Sequence, residues 1–445
     1  MEERKTMKKL ISFIILLGAL FLVAGCAPEN LKDKDIIIPD VLPTEEINIT
    51  FWHAMGQANQ VLIQELIDDF QVLYPNIKVT QASQGGYNDL RDKLNTAIRA
   101  GTEPNLAQAY PDHVAVYLQG NAVLPLDEYI NHPVWGYTQA DLDDFVPSFL
   151  AEGRLYDEAQ TYYSLPFNKS TEIMFYNKTY FDAKGLTVPS TWAEVRTVAQ
   201  FIKNDTGKIA FAYDSEANLF ITLTEQWGGA YTDYNGNILF NNTQSKAAVG
   251  FFSQMYKDGL AATPTHFDGQ NYASDIFKAE NIYMTVGSSA GARYNDSTVF
   301  EVGVAPIPQF DGAGAKQAVI QQGTNVSIFK NATDAQRLAS WLFLKYITST
   351  EATTMFSSGS AYFPVRISAY DSAEYQAFLA KANTGDILAR SAIAAKAQSN
   401  RFFTSAAFPG SSLARDEVQA LVRAVLYGNK TVDQAYQDAL NELTW

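Results

Sequence analysis

The chain has 445 residues, a formal net charge of −15, and 47% hydrophobic against 18% charged residues. That balance suits a packed globular protein and excludes an intrinsically disordered one. The acidic excess argues against binding nucleic acid or an anionic membrane face, both of which reward basic surfaces.

The N-terminus carries Arg4, Lys5, Lys8 and Lys9, then an uncharged run from Leu10 to Ala24, then Leu22-Val23-Ala24-Gly25-Cys26. The run is too short for a membrane span and reads as the core of a signal peptide spanning residues 1–25, with Met7 as an alternative start. Cys26 is the sole cysteine, so an internal disulfide is impossible. Its setting resembles a bacterial lipobox, which implies cleavage before Cys26 and lipidation of its sulfur. The alternative is an ordinary secretory signal with an incidental cysteine. The expected location is outside the cytoplasm, on the extracellular face of the cell membrane. Residues 26–45, with Pro28, Pro39, Pro43 and alternating Lys and Asp, read as a flexible tether. About 420 residues follow the leader, more than one core usually organises, so two lobes are expected.

Beyond the tether, Glu45 to Trp52 alternates polar and apolar residues as a half-buried strand does. Val61 to Leu73 places Leu62, Ile63, Leu66, Ile67 and Phe70 on one helical face and stops at Pro75. Ile77 to Gln81 is a second strand, broken by Gly85-Gly86. Leu90, Leu94 and Ile98 mark another helix, and Asn105 to Tyr110 a third strand. This alternation predicts a parallel α/β sheet. Ligands gather beyond the carboxyl ends of such strands, here at His53-Ala54-Met55-Gly56, Gly85-Gly86-Tyr87 and Pro111-Asp112-His113. Further on, Glu172 to Tyr176 reads as a strand, and Thr191-Trp192-Ala193-Glu194 as a capping box opening a helix to about Asn204. Asp233 to Phe240 predicts a hairpin turning at Asn235-Gly236. Ile282 to Val286, Glu301 to Ala305 and Val319 to Phe329 read as strands, with mostly helix from Asp334 onward. Strands return late in the chain, so each lobe is expected to be built from separated stretches.

Catalytic patterns fare poorly. Gly287-Ser288-Ser289-Ala290-Gly291 matches G-x-S-x-G, but His53, His113, His132 and His266 all precede Ser289, whereas the hydrolases with this elbow place the histidine after the serine. No C-x-x-C or H-x-x-x-H pair suggests a metal. Asp233 to Asn237 faintly suggests a calcium loop, with its glycine at the wrong position. No Walker loop or G-x-G-x-x-G is present. The expectation is a protein that is not an enzyme and has no cofactor or metal, with a secreted carbohydrate-active enzyme as a remote alternative.

Several runs, in order, carry a family resemblance: Ile49-Thr50-Phe51-Trp52-His53-Ala54-Met55; Gly86-Tyr87-Asn88; Leu165-Pro166-Phe167-Asn168-Lys169-Ser170-Thr171; Phe175-Tyr176-Asn177-Lys178; Met284-Thr285 with Ser288-Ser289; Ala361-Tyr362-Phe363-Pro364-Val365; and Gly428-Asn429-Lys430-Thr431 before Ala435. Together the chain resembles the extracellular solute-binding proteins of ABC importers, in the cluster of maltose-binding and glycerol-3-phosphate-binding proteins. The resemblance implies an α/β, two-lobe periplasmic-binding-protein-like fold of type II, with discontinuous lobes joined by a hinge: 46–164 plus about 300–345, and 165–299 plus about 346–445. It implies a monomer that hands a small solute to permease subunits served by a cytoplasmic ATPase. The resemblance implies Tyr87, Ser170, Ser288, Ser289, Gly323 and Tyr362 as ligand-binding residues, and Trp52 and Asp112 are expected beside them. Tyrosines offer a stacking face and a hydroxyl, the serines compact donors, and Gly323 a close backbone approach. Two departures matter. Pro111 stands where the glycerophosphate binders carry a glutamate, with Asp112 one step on. Ala407 stands where they carry a phosphate-binding arginine, with Arg401 and Arg415 nearby but off register. A guanidinium is the natural phosphate clamp, whereas Asp112 suits a neutral polyol, its carboxylate accepting from two hydroxyls. A carbohydrate or polyol is therefore the expected solute, with sn-glycerol-3-phosphate or glycerophosphodiesters as the alternative.

Overall fold

A computed structural model describes residues 36–267 and 272–444. Cys26 and the expected signal segment lie outside the described residues. The main body begins at Pro39 rather than Glu46. The Pro39 carbonyl accepts from the Trp135 indole at 2.7 Å, and the Pro43 carbonyl from Asn76 Nδ2 at 2.6 Å. The last residues assigned to the tether are thus bonded to the fold.

The first strands form as their alternation dictates. In β1 (Ile47–His53) Ile47, Ile49, Phe51 and His53 are buried while Asn48 and Thr50 are exposed. β1 lies parallel between β2 (Ile77–Ser83) and β3 (Leu106–Ala109). The Gln57–Leu73 helix buries Ile63, Leu66, Ile67 and Phe70 against this layer. The Tyr87–Ala100 helix begins after Gly86 and ends at Gly101 in the left-handed region, the usual glycine stop.

β4 (Leu165–Asn177) is far longer than the five residues its apolar end predicted, and its side chains are buried almost throughout. The first half reads as loop in sequence because Asn168, Lys169, Ser170 and Thr171 are polar. It is a strand because each of these finds a partner inside the protein, which is what makes burial of polar groups tolerable. β5 (Phe211–Tyr213) and β6 (Ala261–Ala262) pair in parallel, and β5 pairs in parallel with β7 (Met284–Ser288). β7 and β8 (Val302–Pro306) run antiparallel to β4. β9 (Val319–Ile328) runs antiparallel to both β3 and β4, and β10 (Phe402–Phe403) joins its start. The resulting order is β2-β1-β3-β9-β4-β7-β5-β6. β8, within the stretch expected in the first lobe, pairs with Ile173–Asn177 of β4, in the stretch expected in the second.

The helices cover the two ends of this sheet. Asp334–Ile347 packs on β1, and Thr350–Ser360 packs on Gln57–Leu73. At the other end Glu216–Gln226, Thr243–Lys257, Ser411–Leu426 and Val432–Glu442 pack together over β5 and β7 around Trp192, Phe220 and Tyr436. The Thr191 capping box forms as predicted: Glu194 N donates to Thr191 Oγ1 at 3.2 Å, and Thr191 N to Glu194 Oε2 at 3.1 Å. The expected hairpin at Asp233–Phe240 is reduced to one bridge between Thr232 and Ile238. Asp233 Oδ1 accepts from the backbone N–H groups of Asn235 and Asn237 at 3.0 and 2.9 Å, so the side chain closes the turn in place of strand pairing.

The β4–β9 seam is tight. Gly323 has φ +92°, and a Cβ there would sit 1.9 Å from the Asn168 carbonyl oxygen. Gly323→Ala is therefore expected to destabilise the fold by about 3 kcal/mol, through left-handed strain and displacement of β4; a urea midpoint unchanged from wild type would contradict this.

Candidate functional site

A cavity of about 730 Å³ opens between the loops that leave β1, β2 and β3 and the elements around β4 and β7. This is the size of a small-molecule site. All three loops singled out by the parallel-sheet argument contribute: Ala54-Met55-Gly56, Gly86-Tyr87 and Pro111-Asp112-His113.

Tyr87 is placed by the start of its helix, and a buried relay orients its hydroxyl. Ala54 N donates to Gln108 Oε1 at 3.0 Å, Gln108 Nε2 to Asn168 Oδ1 at 3.1 Å, and Asn168 Nδ2 to the Tyr87 hydroxyl at 3.1 Å. Thr324 Oγ1 also donates to Asn168 Oδ1. The Tyr362 hydroxyl stands 3.3 Å from that of Tyr87, and the Tyr362 ring stacks on Phe356 with centroids 5.9 Å apart. Tyr110 packs against Tyr87 at 4.8 Å and also lines the cavity. Side chains from β1–β3, β4 and the Ala361–Val365 segment thus meet in one wall. A satisfied relay of this kind fixes hydroxyl direction more firmly than isolated bonds do.

Ser170 on β4 and Ser288 at the end of β7 face each other, with Ser288 Oγ donating to Ser170 Oγ at 3.3 Å. Both line the cavity, as do Gly323 and Asp112. Trp52 and Ser289 are not brought to that wall. Trp52 packs against the core that contains Leu94 and Tyr117. Ser289 is fully buried, its Oγ accepts from Thr171 N at 3.3 Å, and its carbonyl accepts from Ser391. The serine of the G-x-S-x-G run is thereby a structural acceptor beneath the site. Gly323 serves the seam with β4 as well as the wall.

The sequence reading passed over part of the lining. Glu172 is buried beside the serine pair and accepts from the Tyr213 hydroxyl at 2.5 Å and Thr222 Oγ1 at 3.1 Å. Burial pushes its carboxyl up to about 7, against the weaker pull of those hydrogen bonds. Burial likewise lifts Asp214 to about 6, with its Oδ1 accepting from Ala273 N at 2.7 Å. Glu172 sits one residue past the motif quoted for the family, and its β4 periodicity was the available signal. Arg415 enters the wall, donating to Asn218 Oδ1 at 2.6 Å; Arg401 does not line it. Asp112 accepts from Ser412 Oγ at 2.8 Å across the cleft. Burial alone would raise Asp112, but His113, Arg415 and the Ser412 hydrogen bond outweigh it and hold the carboxyl below its ordinary value. Among the described residues no group of three or more His, Cys, Asp or Glu is placed to hold a metal ion, and no helix is long and apolar enough to cross a membrane.

The two-lobed fold is that of periplasmic solute receptors. The GacH receptor of Streptomyces glaucescens, solved unliganded and with acarbose, superposes with a TM-score of 0.76 at 21% identity, covering 89% of this chain and 98% of that one. UgpB from Mycobacterium tuberculosis in complex with glycerophosphocholine gives a TM-score of 0.76 at 22% identity, over 89% of this chain and 97% of that one. In sequence, residues 65–383 match the model of the bacterial extracellular solute-binding protein family, and the chain belongs to that family. The sn-glycerol-3-phosphate-binding periplasmic protein UgpB of Agrobacterium fabrum is 26% identical over 348 residues, 75% of this chain and 77% of that protein.

The Glu172 shift has a consequence for stability. Its folded value lies above the unfolded one, so the unfolded chain ionises first as pH rises. The stabilising contribution is complete below about pH 4.5 and is lost on rising to about 7, an effect of roughly 3 kcal/mol. Glu172→Gln, neutral throughout, is expected to become more stable relative to wild type between pH 5 and pH 8. Urea midpoints whose difference stays constant across that range would refute the assignment.

Proposed function

We propose that this chain is the solute-binding lipoprotein of an ABC importer and that it captures a neutral carbohydrate or polyol in the cavity described above. The observation that carries the ligand class is the make-up of the wall. Six carboxyl-bearing residues line it, against two arginines. Tyr87, Tyr110 and Tyr362 add aromatic faces beside hydroxyls. Carboxylates and tyrosines suit a polyhydroxylated solute, which donates to the former and stacks on the latter. The acarbose complex of the GacH receptor is consistent with that reading.

The lobes proposed here meet at β4 and β9, where the chain crosses between them, and close over the solute by bending at that seam. The lipobox-like run supports anchoring through Cys26 on the extracellular face, with the chain working as a monomer beside permease subunits and a cytoplasmic ATPase. Cys26→Ser is then expected to move the protein from the membrane fraction to the medium. The solute leaves chemically unaltered, since the chain acts as a receptor rather than an enzyme.

A second reading has one specific observation behind it. Arg415 lies in the wall, and two relatives in sequence, UgpB of Agrobacterium fabrum and of Pectobacterium atrosepticum, are named as sn-glycerol-3-phosphate-binding proteins. Thermal shift and calorimetry with a panel of neutral mono- and oligosaccharides, polyols, sn-glycerol-3-phosphate and glycerophosphocholine separate the two. A neutral solute at one hundred times its Kd is expected to add about 2.7 kcal/mol of stability and to be recovered intact. Stabilisation by the phosphorylated compounds alone would reverse the ligand order, and turnover of any solute would overturn the receptor reading.

A further inference from the structure

Asp112 sits in the first turn of the Pro111–Gln119 helix on one side of the cleft, and its carboxylate reaches the helix on the other side. Ser411–Leu426 is a helix of 16 residues, and Ser412 lies in its first turn. Amides in a first turn have no partner within the helix, and the aligned peptide dipoles make that end electropositive. Ser412 Oγ donates to Asp112 Oδ2 at 2.8 Å. Arg415, one turn further on, lines the same cavity, and its charge helps hold the Asp112 carboxyl below its ordinary value. Its guanidinium donates to the neutral Asn218. A helix start, a hydroxyl donor and a guanidinium on one helix are the components of an anion site. That site already holds an anion, and the anion belongs to the protein.

We propose that Asp112 is a resident anion that excludes phosphorylated and other anionic solutes, its carboxylate occupying the position at Ser412 and Arg415 where such a group would bind. The inference rests on the solute-receptor reading and makes Asp112 a specificity-determining residue within it. A phosphate entering this corner meets a fixed negative charge desolvated with it, and like charges brought together out of water repel strongly. A neutral solute meets no such penalty and still finds the second oxygen of Asp112 as an acceptor. The presence of an arginine in the wall is thereby reconciled with a preference for uncharged solutes.

The test is calorimetric titration of inorganic phosphate and of sn-glycerol-3-phosphate into the full chain and into Asp112→Asn. Asparagine keeps the shape and can still accept from Ser412, but removes the charge. Asp112→Asn is expected to bind both anions at least tenfold more tightly than wild type, and a second change, Arg415→Ala, is expected to abolish the gain. If circular dichroism shows Asp112→Asn to be misfolded, Asp112→Ser carries the same comparison. Equal anion affinity in wild type and variant, or a gain that survives Arg415→Ala, would overturn the proposal. A neutral-solute titration run alongside reports separately on the receptor reading: its failure, with the phosphate gain present, leaves the resident anion standing.

Discussion

Everything in this molecule hangs on the antiparallel pairing of β4 with β9. One side of the sheet is the parallel unit β2-β1-β3, the other is built on β7, β5 and β6, and these two strands join them. The seam has to bury polar groups, because its residues also form the floor of the cavity. Lys169 is wholly buried yet satisfied, pairing with Glu152 and donating to the Gly323 carbonyl at 3.2 Å and to Asn325 Oδ1 at 3.3 Å. Removing one partner of such a pair leaves a desolvated charge, so the network tolerates little disturbance. Gly323 completes the constraint, since only a residue without a Cβ lets β9 lie against Asn168.

The same residues connect fold to site. Asn168 belongs to the seam and also points the Tyr87 hydroxyl into the cavity. Ser170 and Glu172 follow on the same strand and supply the floor. The wall is therefore held by the element that joins the lobes, and a proposed change in lobe angle would be felt directly by the groups that grip the solute. Across the top, Asp112 with Ser412, and Arg91 with Asp416 at 3.9 Å, bring the two sides together.

Much of this was legible in the sequence. The strands and helices from Glu45 to Tyr110 follow from periodicity alone, and the loops at the strand ends reach the cavity. Tyr87, Ser170, Ser288 and Tyr362 came through family resemblance and are brought together. What sequence could not disclose was long-range partnership. The polar half of β4 reads as a loop until Glu152, Gln108 and Thr324 are placed around it. Ser412 is 300 positions from Asp112, and only packing of the Ser411–Leu426 helix against Pro111–Gln119 makes them neighbours. Trp52 and Ser289 lie next to cavity residues in sequence, but Trp52 half-buries against the core around Leu94 and Tyr117, and the turn after β7 sends Ser289 into the interior.

In the proposed working cycle, two lobes bend about the β4–β9 seam to enclose a solute. Small-angle X-ray scattering of the protein, alone and saturated with a neutral saccharide or polyol identified by titration, reads this bending out. The radius of gyration is expected to contract on binding as the cleft closes. A radius that stays the same with and without bound solute would contradict the claim.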